Sequence, residues 1–280
     1  MSGPAEPRDA RGPARRILIF SSPAAQAGAA FIAVLLPTLL LSPAPSSPSA
    51  TIQSVCLQFL LVGSVPLFFA HLLNLDKRTA FSLRRARADN LFWCLVLVLS
   101  ALFWLDEVVF WQDRLTGIRA SLNPEVERLL RADSIPQLGW ILFALAVTPA
   151  VCEELLFRGF MLGRFLEFSQ PGQGLMMTSV LFGLFHRNLP ALLPTSLAGL
   201  LLAFVVWRTG NLSYAIPMHA AINGWAILVV NSRIGELLPW TRQPSPVPAV
   251  LLLGGGLGLV VAAWRLKPDG NPQARSALPR

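Results

Sequence analysis

Two adjacent glutamates, Glu153 and Glu154, and an arginine four residues later, Arg158, close an otherwise apolar block of membrane-spanning length. On insertion scales each charge at the centre of a bilayer costs about 2.5–3.5 kcal/mol, so three without partners would cost on the order of 8–10 kcal/mol. Helical geometry offsets part of this, because Glu154 and Arg158 lie one turn apart on a shared face and can pair. Glu153 points about 100° away and has no partner within its own helix. A desolvated, unpaired carboxylate is the ordinary form of a general base that works near neutral pH. The chemistry on offer is proton abstraction from water. The rival reading is that both glutamates pin neighbouring helices.

Two further apolar blocks carry imidazoles. One contains Phe182-Gly183-Leu184-Phe185-His186, the other Pro217-Met218-His219-Ala220-Ala221-Ile222-Asn223. Phe182 and His186 share a helix face, as do His219 and Asn223, each pair being four residues apart. The third histidine, His71, has no polar neighbour at helical spacing. A lone histidine in a span reads as an interhelical hydrogen bond. Two of them, with an asparagine and an uncommitted carboxylate, read as a hydrolytic site. Glu153 would deprotonate a water that His186 orients, while His219 and Asn223 donate to the oxyanion of a tetrahedral intermediate. Gly183, Gly199 and Gly224 would let helices approach closely around this group.

In order and spacing, Glu153-Glu154-x-x-x-Arg158, Phe182-x-x-x-His186 and His219-x-x-x-Asn223 resemble the three motifs of the CPBP intramembrane proteases. That family includes type II CAAX prenyl endopeptidases and bacteriocin-processing, lysostaphin-resistance-like relatives. The resemblance covers residues 137–231. It implies an eight-helix fold and a glutamate-dependent endopeptidase acting on a peptide or lipidated-protein substrate, with a CAAX-type or bacteriocin-like peptide as the candidate. By motif position Glu153 and His186 would activate the water and His219 and Asn223 would form the oxyanion site, with Glu154, Arg158 and Phe182 in support. The family has also been described as metal-dependent. Two histidines and a glutamate could ligate Zn²⁺ in number, through Glu153, His186 and His219, but the HExxH spacing is missing and a metal-free site is the expectation.

The elements that must position these residues are helices in lipid. Hydrophobic residues make up 54% of the 280 and charged residues only 14%, against about 25% charged in soluble domains; mean hydropathy is +0.56. Apolar blocks of spanning length recur near 20–41, 51–73, 90–111, 137–160, 173–189, 191–208, 211–231 and 247–265. The expected fold is therefore all-α and polytopic, with about eight transmembrane helices and the chemistry in the fourth to seventh. A basic N-terminus (1–19) precedes them, and a disordered tail (266–280) follows. Within the N-terminal part (20–136), a polar connection at 112–135 should hold a short surface helix starting at Pro124 and capped by Asn123. By residue counting, His186 lies toward the far end of its short span, so a tilted or re-entrant fifth helix is needed to bring it level with Glu153.

The net charge of +8 does not indicate nucleic acid, because the basic residues sit in short loops between apolar blocks. With eight spans, one side collects about 16 of the 23 lysines and arginines. That side is expected to be cytoplasmic and to hold both termini, in a bacterial inner membrane. Cys56, Cys94 and Cys152 are odd in number and form no CxxC pair, so they read as buried apolar residues. No GxSG, HExxH or Gly-x-Gly-Asp motif is present, which removes the other intramembrane protease classes. A non-catalytic immunity or scaffold protein and a proton-coupled transporter are the remaining alternatives. The chain has no internal repeat of the kind transporters often show.

Overall fold

The structure is a computed structural model that describes residues 22–41, 50–76, 81–117, 124–241 and 245–269. The basic N-terminus and Asn123 lie outside these residues. Among the described residues there are helices and no strands. Six helices are long and apolar enough to cross a membrane: α1 (Pro23–Leu41), α2 (Thr51–Leu72), α3 (Ala88–Thr116), α5 (Ile135–Leu166), α7 (Leu189–Thr209) and α8 (Leu212–Asn231). Between α3 and α5 lies the short α4 (Pro124–Leu130), at the expected position. The two other apolar helices, α6 (Pro171–Phe185) and α9 (Ala249–Arg265), have 15 and 17 residues. At 1.5 Å per residue they span about 23 and 26 Å, short of a hydrocarbon core of about 30 Å. All eight expected blocks are helical, and six have the length of a full crossing.

Side chains divide as lipid demands. On α9 the residues Val250, Leu253, Leu257, Val260 and Trp264 are all about two-thirds exposed or more, and their spacing of three or four places them on one face. In water this stripe would be a liability; in a bilayer it is the solvated surface. The opposite face packs against α3, where Gly255 and Gly258 come close to Ser100.

Two apolar cores flank the charged segment of α5. One is aromatic, built from α1, α2, α5 and α6 around Phe31, Phe69, Phe157, Phe160, Phe182 and Phe185. The other draws on α3, α7, α8 and α9 and includes Leu97, Leu202, Tyr214 and Met218. Proline shapes the backbone between them. Pro66 and Pro149 lack the N–H of a regular α-turn, and π-helical turns at Gln58–Gly63 and Phe143–Val147 precede them. A third π segment, Leu155–Met161, follows Glu154. Such turns concentrate at functional sites, and here they bracket the two glutamates.

Gly183 is a point of closest approach between α6 and α7. A Cβ there would sit 2.9 Å from the Leu192 carbonyl oxygen and 2.1 Å from Ser196 Oγ. Gly183→Ala is expected to destabilise the protein by about 1–3 kcal/mol, read as a lower unfolding midpoint in detergent. At Gly224 the nearest atom to a new Cβ is 3.7 Å away, so Gly224→Ala should shift the midpoint little. Equal shifts would show that α6 and α7 are not held at contact by Gly183.

The expectation of a disordered tail fails for residues 266–269. Leu266 is fully buried. The Asp269 carboxylate accepts hydrogen bonds from Tyr214 Oη (2.6 Å), Asn211 Nδ2 (2.8 Å) and Asn90 Nδ2 (3.1 Å), and its backbone N–H reaches the Thr209 carbonyl (2.7 Å). A polar composition suggested solvent, but these polar groups have partners at the ends of three helices.

Candidate active site

Glu153 and Glu154 lie on α5, inside the bundle and 4% and 0% exposed. Glu154 is the better partnered. Its Oε1 meets the Arg158 guanidinium one turn below, as the spacing indicated, and also accepts a hydrogen bond from His219 Nδ1 at 2.9 Å. Arg158 in turn donates to the Gly199 carbonyl on α7 (2.9 Å) and lies over the Phe182 ring, 4.4 Å from its centroid. Gly199 makes this possible, since a Cβ there would stand 3.0 Å from Phe182 and 3.4 Å from Arg158 Nη2. The ion pair thus ties α5, α6, α7 and α8 together.

Glu153 is less satisfied. Its Oε1 accepts from Gln58 Nε2 on α2 at 3.2 Å, and its Oε2 has no hydrogen-bond partner among the described residues. His219 Nε2 lies 3.8 Å from that Oε2, too far for a hydrogen bond. The orientation of His219 is fixed from behind. Because a carboxylate oxygen accepts, Nδ1 carries the hydrogen toward Glu154, and in the neutral ring Nε2 keeps its lone pair. That lone pair faces another acceptor, Glu153 Oε2. Two facing acceptors are compatible when they share a proton or flank a donor such as water.

His186 follows the last residue of α6. Its Nδ1 is 2.9 Å from the Phe182 carbonyl, which can only accept, so Nε2 is again the lone-pair nitrogen. Its ring stands edge-on to Phe182, centroids 4.8 Å apart. His186 and Glu153 line one cavity of about 210 Å³, together with Thr38, Ser54, Gln58, Phe185 and Arg187. Arg187 takes a left-handed backbone (φ 51°) that turns the chain away immediately after His186, and its guanidinium reaches the Thr38 carbonyl (3.3 Å). No re-entrant segment is needed to bring His186 level with Glu153. α5 runs on to Leu166, past the expected end at 160, so Glu153 stands thirteen residues from that end and His186 fifteen residues from Pro171. At 1.5 Å per residue, both lie about 20–22 Å from the turn joining α5 to α6.

Glu153, Glu154, Arg158, Phe182 and His219 are therefore gathered in one place, and His186 joins Glu153 through the cavity. Asn223, one turn beyond His219 on α8, is half-buried and does not line that cavity. Cys152 packs under Gly63 of α2 and, like Cys94, is buried as expected, whereas Cys56 is exposed. Gln58 was not singled out from sequence. Its one advance signal was an amide inside an apolar span, a placement that requires a partner. Among the described residues no three of His, Cys, Asp and Glu converge as a metal-ligand set. No step below runs through a metal.

Comparison with known proteins bears on the same segment. Residues 135–225 match the family described as Rce1-like, type II CAAX prenyl endopeptidase. The match spans α5 to the middle of α8, carries all three motifs, and shows the family resemblance over that third of the chain. By its description that family is one of endopeptidases, which supports a hydrolase at family level. No curated protein and no solved structure matches the chain.

Proposed function

We propose that the chain is an intramembrane endopeptidase in which Glu153 is the general base. The observation that carries this reading is a buried carboxylate that shares a cavity with His186, lies beside His219, and has one oxygen without a hydrogen-bond partner among the described residues. A water at Glu153 Oε2 gives up a proton to the carboxylate as its oxygen attacks the scissile carbonyl carbon. His186 Nε2, its tautomer set by the Phe182 carbonyl, accepts the water's second hydrogen bond and orients the attack. By motif position His219 and Asn223 are the candidate oxyanion donors; neither lines that cavity, so the carbonyl oxygen would have to point from it toward α8, and His219 can donate through Nε2 only as the imidazolium, with Nδ1 still on Glu154. Collapse of the tetrahedral intermediate breaks the C–N bond, and the proton held by Glu153 passes to the leaving amine. Glu154 and Arg158 touch no reacting atom in this scheme; they hold His219 in place.

The substrate is a membrane-associated peptide, with a lipidated CAAX-type C-terminus or a bacteriocin-like peptide as the two candidates. The protein is integral to the membrane. We place it in a bacterial inner membrane with both termini cytoplasmic, on the strength of the basic residues gathered at the 74–89 loop side.

The test uses purified protein in detergent and two fluorescence-quenched peptides of one sequence, farnesylated and unmodified at a CAAX cysteine. Cleavage by the native protein is expected, with His186→Ala lowering kcat by about 100-fold or more and chelators leaving turnover unchanged. A preference for the farnesylated peptide would assign the lipidated class. Activity lost to a chelator and restored by zinc would reverse the metal-free mechanism. If neither peptide is cut and the membrane peptidome is the same with and without His186, the non-catalytic reading takes over.

A further inference from the structure

Gln58 takes no part in the mechanism above, and it comes from α2, outside the segment that matches the protease family. We infer that Gln58 is a positioning residue, which fixes the Glu153 carboxylate and frames with it the seat of the hydrolytic water. The inference rests on the endopeptidase reading.

The polar atoms decide the argument. Gln58 Nε2 donates to Glu153 Oε1 across 3.2 Å, fixing the carboxylate about its last torsion. Two buried acceptors remain, Gln58 Oε1 and Glu153 Oε2, and neither has a hydrogen-bond partner among the described residues. Both residues line the same cavity of about 210 Å³, where a single water needs only about 10–15 Å³. Water is the smallest species with two donors. Before substrate enters, it would donate one hydrogen to each oxygen and satisfy both, and the hydrogen on Gln58 Oε1 swings to His186 Nε2 as the water moves onto the scissile carbonyl. An interhelical tie would need only one of the amide's two ends, whereas here the second end is also buried without a hydrogen-bond partner among the described residues.

The backbone supports this placement. The π-helical turns of Gln58–Gly63 begin at Gln58 itself. Gly63, at their end, brings α2 against α5: a Cβ there would lie 3.1 Å from Cys152 Sγ, next to Glu153. A side chain at Gly63 would push Gln58 away from the carboxylate.

The test compares Gln58→Met, which keeps the length and removes both polar atoms, with the native protein on whichever quenched peptide the native protein cleaves. The expected result is a kcat about 100-fold lower with KM changed less than threefold. Gln58→Asn keeps the amide but withdraws it by one methylene, and it should fall between the two; it carries the same test if the methionine variant does not fold. Unfolding midpoints in detergent are measured for Gln58→Met, Glu153→Met, which removes the acceptor of their bond, and the double variant. Non-additive shifts are expected, because the two side chains share a bond. Additive shifts would overturn the inference, as would a native kcat in Gln58→Met alongside cleavage that still depends on Glu153. The endopeptidase reading would survive that second result. A parallel fall in midpoint and rise in KM, with kcat held, would reduce Gln58 to a helix tie. If the native protein cleaves nothing, that reading fails, and the unfolding cycle still decides whether Gln58 holds Glu153.

Discussion

Glu153→Gln is expected to lower kcat by about 10³–10⁴-fold while leaving the protein folded. Glutamine has the shape of glutamate, and its carbonyl can keep the hydrogen bond from Gln58 Nε2 that Oε1 now accepts. What it lacks is a site for the water's proton. Because Glu153 Oε2 is buried without a hydrogen-bond partner among the described residues, replacing it by an NH₂ removes no protein contact, and the unfolding midpoint should stay level or rise. This combination of intact fold and lost turnover separates a base from a helix pin, whose removal would lower the midpoint. The comparison with Glu154→Gln sharpens it. Glu154 takes both of its bonds through one oxygen, which a glutamine carbonyl can still offer, but a neutral amide leaves the buried Arg158 guanidinium without its counter-charge, so that change should cost stability first and rate by a smaller factor. Turnover within tenfold of native in Glu153→Gln would remove the base assignment and transfer attention to His186.

Much of this was readable from residue spacing, and the limit of legibility is physical. Helical periodicity places Glu154 over Arg158 because their contact is local, four residues apart on one helix, and the ion pair is there. The same periodicity sends Glu153 to another face but cannot say what lies on it. Its neighbours Gln58 and His219 are 95 and 66 residues away and reach it only through the packing of α2 and α8. His219 shows the same limit. Its spacing to Asn223 suggested an oxyanion donor, whereas its nearest contact is the Glu154 carboxylate, which orients it. Helix ends were the least legible feature. Lipid makes apolar length a good guide to a span's existence, but the fourth apolar block was expected to end at 160, while the helix runs on to Leu166. That error alone created the apparent mismatch in depth between Glu153 and His186. The Asp269 cluster was missed for the opposite reason, since polar residues near a terminus resemble solvated ones until their partners on α3, on α8 and in the turn between α7 and α8 are known.

Arg158→Ala should have the largest effect on stability, about 3–5 kcal/mol, the usual range for breaking a buried ion pair from one side. The guanidinium is 3% exposed and makes three kinds of contact: the Glu154 carboxylate, the Gly199 carbonyl and the face of Phe182. Among the described residues its removal leaves the buried Glu154 carboxylate with His219 Nδ1 as its remaining partner, and it opens a void beside Phe182. Low yield in the membrane and a midpoint many degrees lower in detergent are the expected signs. A pair that costs this much to break from one side can still contribute little in net terms, since both charges had to leave water to form it. The double variant Glu154→Gln/Arg158→Met tests this, because it neutralises both groups while filling most of the volume. Its midpoint should recover most of the loss, and the glutamine carbonyl can still accept from His219 Nδ1. Turnover should recover less, because a neutral acceptor holds the imidazole more weakly than a carboxylate. Full recovery of both would mean that the charges are a dispensable structural tie. Recovery of neither would mean that Arg158 acts on the site by some route other than its bond to Glu154.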